Sequence, residues 1–376
     1  MAPGRTLRPG ATLSGTMTSE PTAARLRVDD FDYQLPADAI AQIPAEPRDA
    51  ARLLVLERAT STPGRPALEH RIFRELGELL HAGDLLVVND SRVIPARLPA
   101  TRPGGGSAEI LMLRSLDDDP ERWEALVRPS RRIPPGTTLV LRSGASVEVE
   151  ERLSDGTRAV RFAGDPLAIM AEDGETPLPP YIHDRTTPAE RYQTVYARPP
   201  GSAAAPTAGM HFTTDLLRSL NQAKVRLASV TLHVGLDTFR PLEGAFVDEH
   251  RIHREWYEVP ERTSAIIRET RRAGSRVVAV GTTSVRVLET AVRDATRTGW
   301  TDLYITPPHP FVAVDALITN FHLPRSSLLL LVTAFVQAGM PTASALGARD
   351  TLLAAYRAAL ADGYRFFSFG DAMFVA

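Results

Sequence analysis

Cysteine is absent from this sequence of 376 residues. Without cysteine the protein can form no disulfide, thiolate nucleophile, cysteine-ligated zinc site or iron–sulfur cluster. Radical chemistry that depends on a cysteine-bound cluster is excluded for the same reason. A chain without cysteine suits a reducing compartment, and we expect a cytoplasmic protein.

Lysine is nearly absent as well, because Lys224 is the single lysine in the chain. A lysine Schiff base of the kind that pyridoxal enzymes use would have to form there, and the surrounding sequence NQAKVRL is typical of an exposed turn before a strand. Arginine therefore carries almost all of the positive charge. The formal net charge of -2 predicts no strong field that would draw the whole molecule to nucleic acid or to a membrane.

Long apolar runs are missing too. The longest, LLLLV, extends from Leu328 to Val332, whereas a membrane-spanning helix needs about 20 apolar residues. Residues 1–25 are rich in glycine, proline, threonine and arginine and contain no apolar segment, so we predict a disordered tail and no secretory signal, with Met17 as an alternative start. A Walker A motif and a Rossmann GxGxxG after a strand are also absent.

What the sequence does contain is an alternation of strand and helix patterns. After residue 180 apolar strands and amphipathic helices alternate, which is typical of α/β folds, and apolar runs near residues 52–57 and 84–90 extend the same sheet. A helix is predicted between those two runs, ending at Gly83, and a strand is predicted at TDLYIT, residues 301–306.

Residues 95–177 have a different sequence pattern. Short segments in which apolar and polar residues alternate are separated by glycine, proline and aspartate. This pattern predicts an all-β module, a small barrel. We therefore predict an α/β fold in which a discontinuous main domain, residues 26–94 and 178–376, carries an inserted all-β barrel-like domain at residues 95–177.

The segment VVAVGTTSVRVLE is the strongest local motif. A predicted strand ends at Gly281, and Thr282, Thr283 and Ser284 offer N-cap hydroxyls to the helix that follows. The free amides of the helix start suit an anion, and Arg286 would add a fixed positive fork for a carboxylate or phosphate. An ordinary capped turn is the alternative.

Two further segments are expected to meet that turn. A second strand ends at Asn320 and His322, and Ser326 or Ser327 caps the next helix. Ligands of open α/β sheets bind outside the carboxyl ends of strands, so we predict a crevice there. The segment AAAPTAGMHF, which ends in His211 and Phe212, has the small side chains that suit one wall of it. A structurally bonded histidine is the alternative for both imidazoles.

Other titratable groups are spread along the chain. The segment VDEHRIHREWYEVP brings His250 and His253 near Glu249 and Glu255, but no third metal ligand is evident, so we predict a His253–Glu255 acid/base pair and no metal site. His233 follows a predicted strand, and Asp371 follows a glycine bend. Arginines near the β module suit phosphate contacts, or form an ordinary solvated face: Arg92, Arg97, Arg128, Arg131 and Arg132.

Taken together, these motifs closely resemble the S-adenosylmethionine:tRNA ribosyltransferase-isomerase family of queuosine biosynthesis. The matching stretches run in family order from about Asp30 to the C-terminus: FDYQLPADAIAQIPAEPRDAARLLVL, DLLVVNDSRVIPARL, PLPPYI, RYQTVYA, AAPTAGMHF, VTLHVGLDTFRPL, VAVGTTSVRVLE, VDALITNFHLP and YRFFSFGDAMF.

The resemblance implies an α/β domain with an inserted β-barrel and an unusual use of S-adenosylmethionine. The family transfers the ribosyl part to 7-aminomethyl-7-deazaguanine at the tRNA wobble position, adenine and methionine leave, and epoxyqueuosine forms. S-adenosylmethionine is a co-substrate, so no separate cofactor is expected, and we expect a monomer.

That reaction needs a base beside the sulfonium, an acid for adenine, an anion site for the methionine carboxylate and phosphate contacts for tRNA. The expected catalytic residues are His211, His233, His253, Glu255, His322 and Asp371. The expected substrate-binding residues are Thr207, Gly209, Gly281, Thr282, Thr283, Arg286 and Asn320. The expected tRNA-binding residues are Arg92, Arg128 and Arg131.

This sequence departs from the family pattern at four positions. Ser107 stands where a lysine is usual, Asp237 and Pro308 where glycine is usual, and Arg254 where serine is usual. Two alternatives therefore stay open. One is a paralogue that uses S-adenosylmethionine with a non-tRNA deazapurine acceptor, and the other is a non-catalytic RNA- or nucleoside-binding protein.

Overall fold

A computed structural model describes residues 25–116, 119–153, 156–184, 186–235 and 241–376. The predicted tail lies outside these residues except for its last residue, and so does Asp237. The strands are Arg52–Thr62 (β1), Arg65–Ile72 (β2), Leu85–Asn89 (β3), Arg92–Val93 (β4), Arg97–Thr101 (β5), Ser107–Leu116 (β6), Asp119–Arg128 (β7), Thr137–Val140 (β8), Ser146–Arg152 (β9), Arg158–Phe162 (β10), Pro200–Ser202 (β11), Arg226–Leu232 (β12), Glu255–Glu258 (β13), Val277–Val280 (β14), Thr298–Thr301 (β15), Ala316–Asn320 (β16) and Ala372–Val375 (β17).

The α-helices are Leu76–Leu79 (α1), Pro166–Asp173 (α2), Thr214–Gln222 (α3), Glu261–Arg272 (α4), Thr282–Arg293 (α5), Ser327–Ala338 (α6) and Ala345–Ala361 (α7). Short 3-10 turns connect several of these elements, and one at Thr207–His211 matters below. No helix within the described ranges is long and apolar enough to cross a membrane.

The main sheet has nine strands in the described residues, in the order β15-β13-β12-β3-β14-β16-β17-β1-β2. Four neighbouring strands, β12, β3, β14 and β16, run parallel, whereas β17 is antiparallel to β16. The carboxyl ends of the four parallel strands and the amino end of β17 therefore meet at one edge of the sheet. That edge carries the site described below.

Both faces of this sheet are buried. Val87, Ala279 and Leu317 contribute to the core on the side of α5, α6 and α7, whereas their chain neighbours Val88 and Val280 contribute to the core on the side of α3. Successive strand residues point to opposite faces, so strands covered on both sides are continuous apolar runs. The result is a three-layer α/β arrangement.

The second unit is a closed barrel of strands in the order β10-β7-β6-β5-β8-β9. Alternate residues such as Leu98, Ile110, Val149 and Val160 fill its interior, and Met170 of α2 joins the same core. The α/β fold with an all-β barrel is thus confirmed. The barrel strands extend from Arg97 to Phe162, and the limits proposed at residues 95 and 177 stay a prediction.

Two local predictions differ from the structure. The segment before Gly83 is a 3-10 turn at Phe73–Glu75 followed by the four-residue α1, because its spaced apolar residues serve a short connection that packs under the sheet. The strand predicted at residues 301–306 lies earlier, at β15. Leu303 and Ile305 are buried in the core instead of pairing in a sheet.

Candidate functional site

A cleft opens at the edge where the parallel strands end, with about 530 Å³ of empty space that includes open solvent at its mouth. We call it the strand-end cleft. It is formed by the loop before the Thr207–His211 turn, the end of β12, the start of α5, the end of β16 and the loop before β17. Its lining residues are Ala205, Pro206, Thr207, Ala208, Val234, Gly281, Thr282, Thr283, Thr319, Asn320, Phe321, His322, Leu328, Phe367 and Ser368.

The start of α5 forms one wall of the strand-end cleft. Gly281 is its N-cap residue with φ 86° and ψ 151°, and no side chain caps the helix. Positive φ with extended ψ is a conformation essentially restricted to glycine. Because the cap carries no side chain, the first amides of α5 lack the usual side-chain acceptor and suit an anion.

The predicted N-cap hydroxyls are therefore corrected. Thr282, Thr283 and Ser284 lie inside α5, and a residue inside the helix cannot take the extended N-cap conformation. The Ser284 hydroxyl donates to the Val280 carbonyl at 2.8 Å. Ser326, by contrast, caps α6 as predicted and accepts from the Leu329 amide.

Arg286 does not line the strand-end cleft, which corrects the proposed positive fork. Its side chain is buried, forms an ion pair with Glu255 and donates from Nε to the Leu303 carbonyl at 3.1 Å. Arg286 lies one turn after Thr282 in α5, and its side chain reaches Glu255 at the start of β13. The charge of Arg286 is thus neutralised by Glu255.

Glu255 and His253 are brought together, as the spacing in the sequence suggested. The Glu255 carboxylate lies 3.1 Å from Nε2 of His253 and accepts from the Gly235 amide at 2.8 Å. Burial alone would raise the pKa of Glu255, but the Arg286 charge and the His253 hydrogen bond outweigh burial and lower it to about 2. Glu255 is therefore a permanent carboxylate, and it is hydrogen-bonded to Gly235, the residue that follows the cleft-lining Val234.

His322 is the one predicted histidine that lines the strand-end cleft, as far as the described residues go. Its Nε2 lies 2.8 Å from the Thr319 hydroxyl. The backbone amide donates to the Tyr356 hydroxyl at 3.1 Å, and the backbone carbonyl accepts from the Tyr33 hydroxyl at 2.5 Å. Burial lowers the pKa of this imidazole to about 3, so it is neutral at physiological pH.

His211 lies behind the wall of the strand-end cleft. Its ring packs on Phe73 with centroids 5.0 Å apart, and Nε2 lies 3.2 Å from the Asn320 amide nitrogen. Asn320 in turn accepts from the Thr207 hydroxyl at 2.8 Å. Burial, followed by the charges of Arg365 and Arg48, lowers the pKa of His211 to about 3. Thr207 and Asn320 line the cleft as predicted, while His211 supports them from behind.

Three other predicted residues also lie away from the cleft lining. The His233 ring stacks on Trp256 at 5.3 Å, and burial, opposed by the charge of Asp90, lowers its pKa to about 4. Asp371 accepts from two backbone amides, those of Arg52 at 2.9 Å and Arg365 at 2.8 Å, so it shapes a loop. A Cβ on Gly209 would lie 2.1 Å from the Tyr196 hydroxyl, which makes this glycine a packing requirement.

The three arginines predicted to bind tRNA differ in whether a protein side chain already contacts them. Both terminal nitrogens of Arg92 contact Glu190, at 3.2 and 2.7 Å. Arg128 and Arg131 are exposed near the end of β7, and within the described residues their side chains have no hydrogen-bond or ion-pair partner. Of these three arginines, Arg92 has a carboxylate partner in the described residues, Glu190, which would compete with a tRNA phosphate.

Metal ligation was not expected, and the described residues contain no group of three or more His, Cys, Asp or Glu side chains that could hold an ion. The imidazoles of His322, His211 and His253 contact a hydroxyl, an amide and a carboxylate respectively. This arrangement offers groups for hydrogen bonding, proton transfer and anion binding.

Comparison with known proteins gives the family. The family model described as "Queuosine biosynthesis protein" matches residues 28–375, nearly the whole chain. The chain belongs to this queuosine biosynthesis family. The resemblance inferred from the sequence motifs is thereby confirmed.

Several curated relatives within the family carry the name S-adenosylmethionine:tRNA ribosyltransferase-isomerase. The one from Thermotoga maritima is 50% identical over 353 residues, which is 93% of this chain and 100% of the relative. The one from Thermus thermophilus is 49% identical over 360 residues, which is 93% of this chain and 99% of the relative. A crystal structure of S-adenosylmethionine tRNA ribosyltransferase from Thermotoga maritima covers 92% of this chain and 100% of its own, with 41% identity and a TM-score of 0.52.

Several residues that line the cleft of this family member, or that hold its lining in place, are not predictable from the sequence alone. Tyr33 reaches His322 across 289 positions of the chain, and no local pattern indicates that contact. Phe367 lines the cleft with φ 76°, a rare conformation for a bulky residue. Thr319 carried the one usable signal, because it lies at the end of a buried strand three residues before His322.

Proposed function

We propose that this protein transfers and isomerises the ribosyl group of S-adenosylmethionine onto 7-aminomethyl-7-deazaguanine at the wobble position of tRNA. Adenine and methionine leave, and epoxyqueuosine results. The observation that supports this function is a strand-end cleft in which an apolar wall of small side chains lies beside a helix start without a side-chain cap. Near full-length similarity to enzymes named for this reaction agrees with it.

The strand-end cleft suits the two ends of S-adenosylmethionine. Ala205, Pro206 and Ala208 form a wall of small side chains against which a nucleoside can lie. The amides at the start of α5, beside Thr282 and Thr283, form the proposed site for the methionine carboxylate. This assignment gives the anion site to backbone donors and leaves Arg286 with Glu255.

Proton removal beside the sulfonium is assigned to His253. The positive sulfur acidifies the neighbouring carbon, so an imidazole held by a carboxylate is a sufficient base. Glu255 stays ionised, orients the His253 ring at 3.1 Å and stabilises the imidazolium that forms. Among the histidines expected to act, His253 combines an anionic partner with a partly exposed side chain (22%).

The remaining roles complete the proposal. Arg128 and Arg131 bind tRNA phosphates, and the modified base enters the cleft from the tRNA. S-adenosylmethionine is consumed as a co-substrate, so the reaction is proposed to need no separate cofactor or metal. The protein is proposed to act as a monomer.

Adenine release tests this function directly. The protein is incubated with S-adenosylmethionine and one of three acceptors: tRNA bearing 7-aminomethyl-7-deazaguanine, the same tRNA with guanine at that position, or the free deazapurine. We expect adenine only with the modified tRNA. Release with the free base alone would instead indicate a small-molecule acceptor, and no release together with measurable binding would indicate a non-catalytic binder.

A further inference from the structure

His322 is held more completely than the other imidazoles of the site. Thr319 contacts its ring, Tyr356 its backbone amide and Tyr33 its backbone carbonyl. These partners come from β16, from α7 and from the N-terminal segment before β1. The backbone of His322 is therefore held on both sides of its Cα, and Thr319 holds its ring, before any ligand enters the strand-end cleft.

The direction of the Thr319 hydrogen bond follows from burial. Thr319 is 1% exposed, and within the described residues its hydroxyl contacts a single hydrogen-bond partner, Nε2 of His322 at 2.8 Å. A buried hydroxyl that only accepted would leave its own proton unsatisfied, which is unfavourable. The hydroxyl therefore donates to Nε2, and the ring proton of a neutral imidazole must then be on Nδ1.

Nδ1 of His322 is the ring nitrogen that Thr319 does not contact. It has no hydrogen-bond partner among the described residues, yet it is not one of the fully buried polar atoms that lack a partner. Since His322 lines the cleft, the cleft is where this nitrogen is accessible. An Nδ1–H group there is a donor aimed at whatever occupies the cleft.

The surroundings keep this imidazole neutral. The titratable groups packed against it are Tyr33 and Tyr356, and burial raises the pKa of both hydroxyls, so neither carries charge at neutral pH. No charged side chain of the described residues contacts the ring. The imidazole thus has no anionic partner that would stabilise a proton on both nitrogens, in contrast to His253.

We propose that Thr319 is a positioning residue that holds His322 as the Nδ1–H tautomer, so that the ring donates a hydrogen bond to a nucleoside heteroatom in the cleft. This inference rests on the proposed function, because the nucleoside is S-adenosylmethionine. As adenine departs, electron density accumulates on the leaving base. A hydrogen-bond donor that is already oriented toward this base stabilises the transition state. His322 thereby differs in role from His253, which takes a proton.

Isosteric substitution tests the positioning role. Thr319→Val removes the hydroxyl and keeps the shape, whereas Thr319→Ser keeps the hydroxyl. We expect Thr319→Val to lower kcat about tenfold or more, with the KM for S-adenosylmethionine changed less than about threefold, and Thr319→Ser to restore most of kcat. The pH profile of the wild type should show no limb from His322 between about pH 5.5 and 9.

A second readout does not depend on activity. Long-range nitrogen-15 NMR of histidine-labelled protein reports which ring nitrogen carries the proton, and His322→Asn assigns the signal. We expect wild-type His322 to be protonated at Nδ1 alone at pH 7, and Thr319→Val to show a mixture of tautomers with an unchanged melting temperature.

Two results would overturn the inference: an Nε2–H or doubly protonated ring in the wild type, or a Thr319→Val variant with undiminished kcat. Neither is the same as failure of the proposed function. If wild-type protein releases no adenine with modified tRNA, the function is wrong, while the tautomer measurement still decides whether Thr319 sets the protonation of His322.

Discussion

At the scale of single residues, the Glu255–Arg286 pair carries the largest electrostatic consequence. Both side chains are buried, at 2% and 4% exposure. Glu255→Gln would leave the Arg286 guanidinium without a counter-charge in the protein interior. We expect the free energy of unfolding, measured by urea denaturation at pH 7, to fall by about 3–5 kcal/mol. The exposed pair of Arg71 and Glu69 offers the matched control, because Glu69→Gln should cost less than about 1 kcal/mol.

The same pair predicts an acid-labile contribution to stability. The pKa of Glu255 is about 2 in the folded state against 4.5 for an ordinary glutamate. A depressed carboxyl pKa stabilises the fold at pH values above 4.5, and this contribution is lost as the pH falls from 4.5 toward 2. The difference in free energy of unfolding between wild type and Glu255→Gln should therefore become smaller as the pH falls from 4.5 toward 2. An effect of Glu255→Gln at pH 7 no larger than that of Glu69→Gln would contradict the account.

Contacts between residues that lie close along the chain are predictable from the sequence. His253 and Glu255 are two positions apart and meet as predicted. Arg286 is 31 positions from Glu255, and its direction depends on the rotation of α5 relative to β13, which no local pattern specifies. His211 was predicted on a loop that forms one wall of the crevice, and Asp371 after a glycine bend. Whether such a side chain faces the cleft or the core is decided by long-range packing.

At the scale of elements, the β14–α5 turn depends on one glycine. Gly281 has a backbone conformation that residues with a Cβ adopt only with strain, although a Cβ there would meet only ordinary contacts at 3.5 Å or more. We expect Gly281→Ala to cost about 1–3 kcal/mol of stability and to raise the KM for S-adenosylmethionine, because the helix start must shift.

Gly77 of α1 supplies the control for this substitution. A Cβ at Gly77 would lie 3.5 Å from the Leu220 side chain, and its backbone is not in the positive-φ region. Gly77→Ala should leave both the melting temperature and the KM unchanged or slightly improved. Equal behaviour of the two alanine variants would refute the role given to the turn.

Elements were predictable where apolar runs are buried on both faces or helices are amphipathic and capped, as in β14, β16 and α7. They were not predictable where spaced apolar residues pack from short turns, as Phe73 and Leu76 do, or from irregular segments, as Leu303 and Ile305 do. In both cases the hydrophobic pattern identified burial correctly. It did not specify the backbone conformation, because a buried position can be reached from a helix, a strand or an irregular segment.

At the scale of the whole molecule, tRNA binding must come from local charge, because the net charge is only -2. Arg128 and Arg131 are exposed and unpaired within the described residues, so each can neutralise a phosphate. We expect the double variant Arg128→Gln/Arg131→Gln to raise the KM for modified tRNA and to flatten the plot of log affinity against log salt by about 1–2 units of slope. The KM for S-adenosylmethionine should not change.

Arg268→Gln/Arg272→Gln on α4 removes the same charge from a different exposed surface. If both double variants weaken tRNA binding equally, the attraction is a property of total charge and the barrel arginines have no specific part in it.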